Sequence, residues 1–225
     1  MPAGDMGMAQ KVQKQNVQSD RWEYERQFWD RGLTCVAGVD EVGRGPLAGP
    51  VVAVAVILPH DFDGTGITDS KLLSAHQRID LYPSICERAL SWGVGLVDAA
   101  GIDSQNILQA SYTAMRLALA ELPVKAEAVL VDGKFRIPNL EIPQRAIVDG
   151  DQLCVSIGAA SIIAKEIRDR IMEDYDRQFP GYGFARHKGY ATPEHLTALN
   201  RLGPSPIHRH SFAPVRDWRQ NRLEL

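Results

Sequence analysis

Apolar positions between residues 36 and 58 fall into two short runs, VAGV and VVAVAVIL, separated by the polar and turn-forming stretch DEVGRGPLAGP. Two such runs with a glycine-rich link predict two buried strands joined by a tight loop. Upstream, RWEYERQFWDR before Gly32 predicts a short helix, capped by Ser19 or Asp20, with Trp22 and Trp29 on one docking face. Downstream, Ser74 can cap a helix running toward Leu90 that Pro83 should kink or break. Residues 92–97 alternate with glycine as a third strand. Residues 104–122 place Ile107, Leu108, Met115 and Leu119 on one side of a helix that Pro123 stops. Residues 127–131 and 145–148 predict two further short strands. Ile157, Ala160, Ala164, Ile167, Ile171 and Tyr175 then keep helical spacing through a long helix ended by Pro180, and residues 193–202 predict one more.

Strands first, then alternating strand and helix, indicate an α/β or α+β layer built on a mixed sheet. The 225 residues, 44% hydrophobic and 24% charged, suffice for one substantial core. Residues 21–225 are therefore expected to form a single domain, and residues 1–20, polar and without an apolar stretch, a disordered tail. No run is long enough to span a membrane, and the N-terminus lacks the apolar centre of a signal peptide. Cys35, Cys86 and Cys154 are odd in number and far apart, which fits neither a disulfide framework nor zinc-ligand spacing. A soluble protein of a reducing compartment, the cytoplasm, is expected.

The net charge of −3 argues against a protein coated in nucleic acid, but the charge is uneven. Residues 177–225 hold eight Lys or Arg against three acids, net +5, and four of the six histidines. An acidic centre beside a basic flank is what a metal-dependent nuclease needs, since phosphates must be drawn toward carboxylates that would repel them.

Three predicted strand ends deliver acids: Asp40 with Glu41, Asp132, and the segment holding Asp149 and Asp151. Successive side chains on a regular strand face opposite ways, so Asp40 and Glu41 converge only where the strand ends or distorts, and Gly43 and Gly45 suit such a distortion. An acid pair alone is more often a solvated turn. Carboxylates meeting at one point, with no Cys or His nearby, favour Mg²⁺ or Mn²⁺ over zinc. Two ions about 3.5 to 4 Å apart could activate a water and stabilise a leaving oxygen in phosphodiester cleavage. Gly43, Arg44 and Gly45 form neither a P-loop nor a dinucleotide fingerprint, and no Ser or Cys sits in a nucleophile elbow, so attack by metal-bound water remains.

The stretch GVDEVGRGPLAGPVV resembles the signature of the type II ribonuclease H family, bacterial ribonuclease HII in particular. The likeness continues, in the family's order, through DSKLL, NILQA, VLVDGK, GAASIIAKEIRD, YGFARHKGYAT and SFAPV, over nearly all the chain after Gly32. It implies a ribonuclease H-like fold, a five-stranded mixed sheet flanked by helices, with a C-terminal helical extension. It also implies an endoribonuclease that degrades the RNA strand of RNA–DNA hybrids and nicks DNA 5′ to a single embedded ribonucleotide.

The four-acid catalytic and metal-binding site carried over is Asp40, Glu41, Asp132 and Asp151, with Asp149 in a variable slot; the residues alone leave those last two open. Gly43, Arg44 and Gly45 resemble the family's 2′-hydroxyl reader, and exposed backbone groups in such a loop can bond that hydroxyl. Tyr190 matches the tyrosine that stacks on the neighbouring sugar, although an ordinary packed aromatic is the alternative. Lys71 matches a phosphate-contacting lysine, with Leu72 where the family usually has a second. Arg186, His187 and Lys188 are candidate phosphate contacts or simply a solvated loop, and His208 and His210 are expected to be capping or core-edge residues. The implied partners are RNA–DNA hybrid and ribonucleotide-containing DNA, bound by a monomer. Two rivals remain: a nuclease of the same fold blind to the 2′-hydroxyl, and a binding module whose acids hold a structural ion.

Overall fold

The structure is a computed structural model that describes residues 20–223. The expected tail therefore lies, Asp20 apart, outside the described residues. A short helix α1 (Glu23–Trp29) precedes the hairpin of β1 (Val36–Val42) and β2 (Val51–Ile57). Helix α2 (Ala75–Arg88) leads to β3 (Ser91–Val97), α3 (Ala99–Gln105) and α4 (Ile107–Ala120). Strands β4 (Ala128–Asp132) and β5 (Gln144–Ile147) come next, then the single turn α5 (Gly150–Leu153) and the long α6 (Val155–Gln178). Last are α7 (Phe184–His187), α8 (Pro193–Leu202) and α9 (Ala213–Leu223).

The strands form one mixed sheet in the order β3-β2-β1-β4-β5, with β1, β2 and β3 antiparallel and β4 and β5 parallel to β1. Every residue of β2 is buried, because both sheet faces are covered. On one face Val51, Ala53, Ala55 and Ile57 pack with Ala114, Met115 and Ala118 of α4. On the other, Val54 and Val56 pack with Ala159, Ile162 and Ile163 of α6. The helices come close because the strands carry glycine at the contacts. A Cβ on Gly38 would lie 2.2 Å from the Ser156 carbonyl carbon, and one on Gly95 1.9 Å from the Ala114 oxygen.

Three local expectations change. Helix α2 runs through Pro83 without a break. The helix expected over residues 104–122 is two helices, parted at Asn106, whose φ of +68° ends α3 while its side chain accepts from the N–H groups of Leu108 and Gln109 at the start of α4. And β1 does not end at Asp40: it stays in register with β2 as far as Val42, opposite Val52, whereas its pairing with β4 stops at Val39, opposite Val131.

Helix α1 docks by its acid rather than by tryptophans alone. Buried Glu25 accepts from the Ser156 N–H (3.0 Å) and hydroxyl (2.7 Å), and so serves the first turn of α6 from another element. Trp29 stacks on His60 at 3.9 Å between centroids and meets Trp22 in a tilted pair at 5.5 Å. Among the described residues no helix is long and apolar enough to cross a membrane, and all three cysteines are free.

Candidate active site

The end of the β1–β4 pairing opens a notch, and the candidate acids gather around it. Asp40 is 6% exposed and lies on the α6 side near Ser161, whose hydroxyl favours the charged form. Its Oδ1 also accepts from the Glu41 N–H at 2.7 Å. Glu41, next along the strand, lies in a small cavity toward α4 with Arg44, Ser111, Tyr112, Asp132 and Phe135. Asp132 ends β4 between these two faces and accepts from the Gly150 N–H at 2.8 Å.

Asp149 and Asp151 part company here. The strand ends at Ile147, Asp149 takes a left-handed φ of +54° and points to solvent, and the turn α5 carries Asp151 inward, 5% exposed. That turn is held in place by Arg21, whose guanidinium donates to the carbonyls of Asp151 (3.1 Å), Gln152 (2.8 Å), Cys154 (3.3 Å) and Ile67.

Electrostatics show that these acids share one environment. Burial first, then the charges of Glu41 and Asp132, pushes Asp40 well above the ordinary carboxylate range. Burial raises Glu41, with Arg44 at 3.2 Å opposing, and burial raises Asp132. Asp151 is pushed up to about 6 by burial and by Asp132. Lys71 feels all this in reverse: partial burial lowers it, yet Asp69, Asp40, Asp151 and Asp132 together hold it above its usual value.

The donor set fits a hard divalent cation: buried carboxylate oxygens in excess of the nearby positive charge. The ligand shell is not pre-assembled, since among the described residues no three His, Cys, Asp or Glu already stand as one would hold an ion. Glu41 is drawn to Arg44, and Asp132 to the α5 backbone.

The remaining candidates divide. Tyr190 is 44% exposed with its ring beside Gly45, so the GRG turn and HKGY form one surface. Gly43 has φ +95°, and a Cβ there would meet the Arg168 guanidinium at 2.3 Å. Arg186 is paired with Glu194, and Lys188 with Glu173 at 2.7 Å, so both form ion pairs within the protein.

Some residues of the site had no part in the sequence reading. Asp69, 8% exposed, adds its charge to those that raise Asp151, and accepts from the Lys71 N–H at 2.9 Å. Arg78 donates to Glu166 (2.9 Å) and to the carbonyls of Ser70 and Leu73, and so ties the DSK segment to α6. A readable signal existed for Arg168: it stands at i+4 from Ala164 and i+8 from Ala160, inside a row of small and apolar residues.

His208 is a buried relay member. Its Nδ1 accepts from the Ser205 N–H at 2.9 Å, which leaves its proton on Nε2, donated to His195 Nε2 at 3.0 Å. His195 in turn donates from Nδ1 to the Tyr190 carbonyl at 2.9 Å, fixing the backbone under the candidate stacking residue. Burial lowers both rings, His208 to about 3. Because the folded value is depressed, the stability that His208 contributes is fully present above the unfolded value of about 6.5 and is lost as pH falls from there toward the folded value. The stability advantage of the native chain over His208→Gln should therefore shrink between pH 7 and pH 5 by about 2 kcal/mol in urea titrations. A gap that stays constant would show that the ring is not held neutral.

A mixed sheet of this order, with acids gathered where two parallel strands part, defines a ribonuclease H-like hydrolase. The family model for Ribonuclease HII matches residues 37–215. The chain is 53% identical over 197 residues to the Ribonuclease HII of Leuconostoc mesenteroides subsp. mesenteroides, covering 88% of this chain and 77% of that one. It is 50% identical over 210 residues to that of Lactobacillus helveticus, covering 93% and 83%. Among solved structures, ribonuclease H2 from Pyrococcus horikoshii OT3 superposes with a TM-score of 0.71 at 27% identity, over 84% of this chain and 99% of that one. The RNase HII of a PCNA:RNase HII complex from Archaeoglobus fulgidus gives 0.65 at 26% identity, over 79% and 95%. The chain belongs to the ribonuclease HII family, and is thereby an endonuclease, a hydrolase acting on RNA in hybrids.

Proposed function

We propose that the chain, acting as a monomer in the cytoplasm through one catalytic domain of residues 21–225, degrades the RNA strand of RNA–DNA hybrids and also nicks duplex DNA 5′ to a single embedded ribonucleotide. The observation that carries this reading is the burial of Asp40 among Glu41, Asp132 and Asp151 without matching positive charge. Asp40, Glu41, Asp132 and Asp151 would hold Mg²⁺ or Mn²⁺, which supplies an activated water and charge neutralisation for phosphodiester hydrolysis. The Glu41 N–H orients Asp40, the Gly150 N–H orients Asp132, and Arg21 fixes the turn that presents Asp151. Lys71, exposed beside these acids, meets the phosphate on their open side. Cleavage leaves a 3′-hydroxyl and a 5′-phosphate.

Choice of the scissile position falls to the GRG turn, whose backbone groups can bond a 2′-hydroxyl, and to Tyr190, whose half-exposed ring beside Gly45 can pack on the adjoining sugar. Arg186 and Lys188 would take part in phosphate binding only by exchanging their present partners, Glu194 and Glu173.

The test is a strand-nicking assay on matched duplexes that differ by one 2′-oxygen. With Mg²⁺ or Mn²⁺, the ribonucleotide duplex is cut 5′ to the ribonucleotide and the all-DNA duplex stays intact. Equal cutting of both sinks the reading in favour of a nuclease blind to the 2′-hydroxyl; binding without cleavage favours a structural-ion module.

A further inference from the structure

Two arginines that are 0% exposed lie directly beneath the GRG turn. Arg209, from the segment before α9, donates from Nη2 to the Gly43 carbonyl (2.6 Å), from Nη1 to the Arg44 carbonyl (3.0 Å), and from Nε and Nη2 to the Gly49 carbonyl (3.0 and 2.8 Å). Arg168, from α6, donates from Nε to the Pro50 carbonyl (3.0 Å), from Nη2 to the Ala48 carbonyl (3.2 Å) and from Nη1 to the Lys188 carbonyl (3.0 Å). Among the described residues neither forms an ion pair with a carboxylate within 4.0 Å. Burial pulls both below the usual arginine value, Arg209 to about 9 with the Arg168 charge adding to the effect. Two like charges buried without an acid are unfavourable unless their donors do something a neutral side chain could not.

What they do is turn peptides. A trans peptide carries its C=O and the following N–H on opposite sides. With the carbonyls of Gly43 and Arg44 drawn inward to Arg209, the N–H groups of Arg44 and Gly45 face away from the core, toward the surface where Tyr190 stands. Arg168 performs the same service for both walls at once, since it bonds residues 48 and 50 on one side and Lys188 of HKGY on the other. A lysine could keep the charge but not the planar fork that satisfies several carbonyls together.

We propose that Arg168 and Arg209 are positioning residues for ribonucleotide recognition, holding the GRG turn so that its N–H groups are presented to the 2′-oxygen. The inference rests on the reading of that turn as the 2′-hydroxyl sensor.

Arg209→Lys and Arg168→Lys are compared with the native chain, in Mg²⁺, on a duplex with one ribonucleotide and on the same duplex with 2′-fluoro at that sugar. Thermal melting establishes that each variant is folded. The expected result is KM within about twofold of native and kcat lower by roughly tenfold or more, the scale of one lost hydrogen bond to a charged group. The preference for 2′-hydroxyl over 2′-fluoro should fall by a similar factor, which a general loss of structure would not produce. An equal drop on both substrates, or an unchanged preference, overturns the proposal and leaves the nicking reading standing. So does failure of both variants to fold, which would make the arginines structural only. A native chain indifferent to the 2′-substituent instead removes the underlying reading.

Discussion

Asp40→Asn is expected to abolish hydrolysis and, in the absence of divalent ions, to raise the melting temperature. Loss of one ligand to an ion that contributes several kcal/mol of transition-state stabilisation corresponds to a rate decrease on the order of 10³-fold or more. The stability gain has a separate origin. Asp40 is buried beside other carboxylates and its folded value is raised, so its ionisation opposes folding at neutral pH. Asn removes that charge yet keeps an oxygen to accept from the Glu41 N–H, now bonded at 2.7 Å. Each 1 kcal/mol so released shifts Tm by roughly 2–4 °C in a chain of this length. The sign can be checked against pH: the gain is present at pH 7 and fades as pH falls through the raised folded value toward the ordinary carboxylate range, where the native Asp40 also becomes neutral. Single-turnover cleavage and calorimetry with and without Mn²⁺ measure both halves. A variant that still cuts, or one that melts lower than the native chain without ions, would refute the assignment of Asp40.

Gly38→Ala is expected to produce a large loss of stability. Its Cβ would stand 2.2 Å from the Ser156 carbonyl carbon and 2.4 Å from the Ile157 nitrogen, both backbone atoms of the most buried helix. Neither can rotate away, so α6 must shift from the sheet as a body. Overpacking typically costs 1–3 kcal/mol and occasionally more, and contact with backbone places this site at about 3 kcal/mol or above. The corresponding fall in Tm is roughly 6–12 °C. Because α6 carries Ser161 against Asp40, activity should fall in the fraction that remains folded. A Tm within about 2 °C of native would mean that the interface yields more easily than close packing allows.

The parts of the molecule legible in the sequence are those where local pattern and burial agree. The unbroken apolar run of β2 lies buried on both faces, and the acids Asp40, Glu41 and Asp132 emerge where apolar strands give out. The boundary between α3 and α4 was hidden because Asn106, a residue tolerated inside a helix, instead adopts a positive φ and caps the next one. The separation of Asp149 from Asp151 depends on a single left-handed residue, which no periodicity records. Asp69, Arg21 and Arg209 escaped for a different reason. Each acts on a segment distant in sequence, and a solitary charged residue in a polar stretch looks the same whether it faces water or a partner far along the chain.

Translation delivers this chain from one end, and the pairing of β1 with β4 sets a limit on when it can work. The hairpin bearing Asp40 and Glu41 emerges first, but the strand that seats Asp132 and the helix that covers Asp40 are made far later. Until those segments are out, the first acids stand on a ribbon with one face bare and no companion across the notch. A fragment that stops short of β4 and α6 is thus expected to leave an RNA–DNA hybrid uncut.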